Sequence, residues 1–317
     1  MRVCAALLLS ASSVAILAQP SDHQVLTRAY DLIQQGQPDN ATVLLTNLAN
    51  SPTASDADRG RAQTLLGLAL DDQGRYPAAQ QAFESALRLL DSPGHPTSDY
   101  AAALDHDAGL QLLKGNVDLA RTLLNQAARI TTQLGNHAQL SSVHLHLAGL
   151  EIQLRRFHEA REALQKACAE FRLAGDSARP IAPDLYGTSG WLATLTHKTH
   201  QAVNDYTSAL DACTRLYGEH HMLTGWAQIL LGRAQAADHD LPAGLASMQT
   251  GLAVLKETLG PNNQRYLLSE IAYSSLLDNA GSHEEAARIN TAANKILSTL
   301  PTACPSCTTS IWELQHR

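Results

Sequence analysis

The residues most able to do chemistry are a Cys304-Pro305-Ser306-Cys307 pair near the C-terminus and fourteen histidines spread over 317 residues. The C-x-x-C spacing is shared by redox pairs, zinc half-sites and haem attachment. Thr308 stands where haem attachment needs a His, and no second C-x-x-C completes a zinc ribbon. Thioredoxin-like chemistry would need the pair at a helix N-terminus that lowers the thiol pKa. In an oxidising compartment the pair reads as a local disulfide, Cys304 to Cys307. A redox- or metal-responsive tail is the alternative. Among the histidines, His144/His146, His197/His200 and His220/His221 lie closest together, yet no H-E-x-x-H order occurs and no local spacing supplies three metal ligands. They read as solvated side chains at turns. Gly187-Thr188-Ser189-Gly190 approaches a nucleophile elbow, but Trp191 takes the place of its last Gly. No phosphate-binding glycine loop is present. The expectation is therefore no enzyme, no metal and no cofactor.

The elements that must carry these residues are helices. Residues 1–18 differ from the rest: Arg2 precedes an apolar run from Val3 to Leu17 that ends at Ala18. That is the layout of a signal peptide cut after Ala18, which predicts a secreted or periplasmic protein. The remainder is periodic. Small residues recur at Ala41, Ala79, Ala120, Ala160, Ala202, Gly244 and Ala286, spaced by 38 to 42 residues. Four residues on, a larger side chain follows in six of the seven copies, from Leu45 and Phe83 to Met248; Asn290 breaks the pattern. Glycines at 94, 135, 175, 218 and 260 keep the same step. Two rulers in phase predict seven helical hairpins over 22–300, followed by a tail at 301–317 that could cap the last one.

The best copy runs from Gly60 to Pro93. Its Leu66-Gly67, Leu70, Ala79 and Phe83 resemble the L-G-x2-Y…A-x3-F pattern of the tetratricopeptide repeat (TPR). Tyr217-Gly218-Glu219-His220-His221 and Leu259-Gly260-Pro261-Asn262-Asn263 resemble the linkers of kinesin-light-chain-type TPR repeats, whose hairpins are long in the same way. The resemblance implies an all-α, TPR-type α-solenoid, a right-handed superhelix of about seven hairpins. It also implies a concave wall, built from the first helix of each pair, that binds a peptide or protein partner. The inward places that form a carboxylate clamp in some TPR domains hold Thr64, Leu68, Asp105, Gly109, Leu145 and Gly149, so that clamp is missing.

Carrying the same register along the chain puts Trp191, Thr194, Trp226, Ile229 and Arg233 on the inner wall. Two Trp beside an Arg make an interface hot spot if they are exposed; if buried, they fill the gaps between hairpins. Cys168 and Cys213, on second helices of adjacent hairpins, read as buried thiols rather than a bridge. Asn40-Ala41-Thr42 matches a glycosylation sequon but is expected in the packed crossing of the first hairpin. A net charge of −7 with no clustered Lys and Arg gives no nucleic-acid footprint.

Overall fold

A computed structural model describes residues 20–300. The signal-peptide expectation at 1–18, and the tail with Cys304 and Cys307, lie outside the described residues. Fourteen α-helices follow in seven antiparallel pairs: α1 (Asp22–Gln34) with α2 (Pro38–Ala49), α3 (Asp56–Asp72) with α4 (Tyr76–Leu90), α5 (Ser98–Leu113) with α6 (Val117–Leu134), and α7 (His137–Gln153) with α8 (Phe157–Ala174). Then come α9 (Ala182–Leu195) with α10 (Thr199–Tyr217), α11 (Met222–Ala237) with α12 (Leu241–Leu259), and α13 (Gln264–Asn279) with α14 (His283–Leu297). A short 3-10 segment, Gly175–Ile181, precedes α9.

One local device makes every hairpin. The residue five before each small crossing position has positive φ: Gly36, Gly74, Gly115, Arg155, His197, His239 and Gly281. The amide after it then bonds back to a carbonyl in the last turn of the first helix, as in Arg75 N–H to Leu70 O at 2.8 Å. This closes the first helix and starts the second within three residues. Most first helices open instead on a side-chain cap: Ser21, Ser55, Thr97, Asn136, His221 and Asn263 each accept a bond from a first-turn amide. Only α9 lacks one, and there Pro183 sits in the first turn, where its missing N–H costs nothing.

The crossings pack as the periodicity requires. Ala41, Ala79, Ala120, Ala160, Ala202, Gly244 and Ala286 are all buried, and beside them Leu45, Phe83, Leu124, Leu164, Tyr206 and Met248 fill the space. In α3 a Cβ built on Gly67 would lie 2.5 Å from Phe83 Cε1, so only glycine lets that ring lie against the helix. The α11–α12 pair is tighter still. A Cβ on Gly244 would meet the Gly232 carbonyl oxygen at 2.7 Å, and one on Gly251 would meet the Gly225 oxygen at the same distance.

Successive first helices touch along α1, α3, α5, α7 and α9, whereas successive second helices make no comparable contact. The first helices therefore follow the shorter, inner arc and line the concave wall. Each buried cluster joins neighbouring hairpins, so the core is a string of small patches. No helix among the described residues is long and apolar enough to cross a membrane.

Candidate functional site

The inner wall has three regions. In the first, α1, α3 and α5 frame a cavity of about 460 Å³ between Thr27, Arg61, Leu65, Asp99 and His106. Arg61 donates through Nε to Asp99 Oδ2 at 2.7 Å and through a terminal nitrogen to Asp58 at 3.1 Å, tying α3 to α5. The Asp99 hydrogen bond holds the guanidinium pKa above its ordinary value.

The second region is acidic and lies across α5, α7 and α9. His146 Nδ1 is 2.7 Å from Asp105 Oδ1, and Asp105 is almost fully buried. Burial alone would lower the His146 pKa, but the charge and hydrogen bond of Asp105, with Asp184 behind them, raise it. Its neighbour His106 is pushed the other way by burial. Asp184 is solvent-exposed, yet the walls around it strip enough water to push its pKa up to about 6, with His146 opposing. The same cause acts at the end of α3: desolvation takes Asp71 up to about 7, helped by Asp72, and takes Asp72 to about 6 against the pull of Arg265. Carboxylates that meet water but remain poorly solvated mark a narrow, wet interior.

The third region is an apolar pocket of about 190 Å³ between α11 and α13. Trp226 and Ile229 form its floor, Leu268 and Ala272 its far side, and the guanidinium groups of Arg233 and Arg265 its charged edges. Arg265 lies over the Trp226 ring, 5.4 Å from its centroid. Burial lowers the Arg233 pKa and the nearby Tyr206 partly restores it.

Three of the five wall residues expected from the sequence, Trp226, Ile229 and Arg233, thus meet in one pocket. The exposed pair of Trp side chains does not exist: Trp191 is 4% and Trp226 is 5% exposed. Trp191 packs among Leu145, Ile152, Leu164 and Leu185, filling the space between the fourth and fifth hairpins. Thr194 is exposed, and its hydroxyl donates to the Gly190 carbonyl of its own helix at 2.9 Å. Arg265 and Leu268 were missed, although Leu268 stands 42 residues after Trp226, at the same place in α13 as Trp226 holds in α11, so the repeat step could have found it.

Two other expectations are corrected. The histidines are not uniformly solvated turn residues: His146 sits within α7 on Asp105, and His221 caps α11. Asn40 is exposed, because Ala41 beside it takes the buried crossing place. Cys168 and Cys213 are free thiols, the second buried. Among the described residues no group of three or more His, Cys, Asp or Glu is placed to hold a metal. A larger cavity, about 650 Å³, opens between α10, α11 and α12, lined by Arg215, His220, Gln228 and Val254.

Residues 60–89 match the tetratricopeptide repeat family model. This segment holds the Gly67–Ala79–Phe83 crossing described above. The chain is an all-α solenoid of stacked helix-turn-helix pairs, and residues 60–89 within it are a TPR repeat. Rat tetratricopeptide repeat protein 19, mitochondrial, is 29% identical over 134 residues, which cover 38% of this chain and 34% of that protein. The match thus spans about a third of the curated relative. Solved structures share the fold at low identity. The Cut9–Hcn1 hetero-tetramer of APC/C is 15% identical over 90% of this chain and 55% of its own, with a TM-score of 0.59. A Rap protein complexed with competence and sporulation factor is 14% identical over 87% and 77%, also at 0.59. The Pyrococcus horikoshii STAND protein with a TPR sensor gives 12% over 88% and 42%, at 0.58. These likenesses show a shared all-α fold of stacked helix-turn-helix pairs.

Proposed function

We propose that this TPR solenoid is a non-enzymatic scaffold that holds a peptide or protein segment against its concave wall. The observation that carries this reading is the α11–α13 pocket, where an aromatic floor is edged by two guanidinium groups. An apolar side chain fits the floor, and a carboxylate beside it suits Arg233 and Arg265. The favoured guest is therefore a segment pairing an apolar residue with an acidic one. The 38- to 42-residue step and the two matching junctions, with Gly218 at φ 85° and Gly260 at φ 83°, support a kinesin-light-chain-like repeat. The apolar leader at 1–18 supports export, and N-terminal sequencing of secreted material would test it.

The pocket is tested by selecting binders from a random peptide library on the purified chain. Selected peptides should be rich in apolar–acidic pairs. They should bind at least tenfold more weakly to Leu268→Glu and to Arg233→Gln, with helicity unchanged. Peptides that bind both variants as well as the parent chain would place the site elsewhere.

A further inference from the structure

The first hairpin does more than begin the array. The Gln34 carbonyl, at the end of α1, lies 2.8 Å from Nε2 of His221, 187 residues away at the start of α11. Leu223 N–H donates to the other ring nitrogen, Nδ1, at 3.2 Å. Nδ1 is therefore the acceptor, and Nε2 carries the proton that reaches Gln34. The ring is held on a third side by Tyr217, stacked with centroids 4.7 Å apart and planes 21° apart. Next to it, Met222 Sδ lies 3.1 Å from where a Cβ on Gly36 would stand. Two weaker links run the same way: the field of Asp184 reaches Tyr30 on α1, and that of Arg265 on α13 reaches Asp72 on α3.

In a plain solenoid each hairpin meets only its neighbours. Here the turn of the first hairpin meets the junction between the fifth and sixth, so the array returns on itself. We propose that the α1–α2 hairpin is a gate, latched shut by His221, and that a guest reaches the inner wall when this hairpin swings away. Its construction suits the role. The latch includes the His221–Gln34 hydrogen bond and the close approach of Met222 to Gly36, while the hinge side keeps the apolar cluster of eleven buried residues shared by α1, α2 and α3. Terminal units of a fold open locally without global unfolding, and the α1–α2 hairpin is the first unit of the described residues. The idea rests on the groove reading for its purpose, but the gate itself can be tested with no guest present.

The test is hydrogen exchange on the full chain. His221→Asn keeps an oxygen that can cap the Leu223 amide, yet is too short to reach Gln34. Amides of α1 and α2 should exchange at least tenfold faster, with those of α5 to α8 unchanged. In the second variant, Gly36→Cys with Met222→Cys, oxidation should join the two cysteines, as read by peptide mapping, and slow α1 and α2 exchange until the bond is reduced. Unchanged α1–α2 exchange in His221→Asn would overturn the proposal. So would acceleration spread evenly over all seven hairpins.

Discussion

The crossing geometry can be tested by one substitution made at three glycines. In α3, alanine at Gly67 would place Cβ 2.5 Å from Phe83 Cε1 and 2.7 Å from Cδ1 and Cζ, and the ring is 1% exposed. Overpacking of this kind costs about 1–3 kcal/mol, while replacing a mid-helix glycine returns about 1 kcal/mol. Gly67→Ala should therefore destabilise by up to about 2 kcal/mol. At Gly244 the obstacle is the Gly232 carbonyl oxygen at 2.7 Å, which is backbone and cannot rotate aside. There the cost should exceed that at Gly67, at about 3 kcal/mol. Gly109, within α5, has nothing within 4 Å of a built Cβ, so Gly109→Ala should stabilise by about 0.5–1 kcal/mol. Urea unfolding followed by far-UV circular dichroism gives the three values, and hydrogen exchange of the affected hairpin shows whether each change is local. If Gly67→Ala stabilised as Gly109→Ala does, small residues would not be setting the crossings, and the basis for aligning seven hairpins would fail.

Three further outcomes follow from the same structure. Arg155, His197 and His239 hold left-handed turns at φ 57°, 57° and 69°, where a side chain costs about 1–2 kcal/mol. After allowing for the freer unfolded chain, changing each to Gly should raise stability by roughly 0.5–1 kcal/mol, readable as a higher urea midpoint. Asp71 has an oxygen with no hydrogen-bond partner and a pKa pushed up to about 7 from 3.8. Because the folded value is the higher one, the folded chain keeps a proton that the unfolded chain releases, and this group's contribution falls as pH rises from about 4 to 7. Asp71→Asn should hence be near neutral at pH 4 and stabilising by about 1 kcal/mol at pH 8, a figure kept small by solvent screening. Trp191→Ala should lower stability by about 3–5 kcal/mol; an unchanged unfolding midpoint would show that its indole is not core.

The sequence disclosed the hairpins more fully than the site. The small residues at Ala41 through Ala286 each lie five places after a left-handed residue, so turn and crossing repeat together and the count of seven was legible. Where the turn residue is Arg155, His197 or His239, no glycine announces it, and only the register of the neighbouring copies placed it. The 3-10 segment at Gly175–Ile181 was not foreseen, since Gly175 alone reads as the end of a helix. Burial of Trp191 and Trp226 was undecidable, because an inward position on a wide arc is exposed and on a tight one is covered. The bond from His221 to Gln34 has no local signature at all. It depends on the summed rotation of five hairpins, which no single repeat encodes.

That bond changes how the molecule responds to damage. An open array is a line, and a lesion at one terminus fades over the next unit or two. Joining Gln34 to His221 turns the line into a circuit, so loosening α1 removes a restraint from α11 without passing through the units between. Faults in the first hairpin and at the start of α11 should then be felt together, and their measured energies should fail to add.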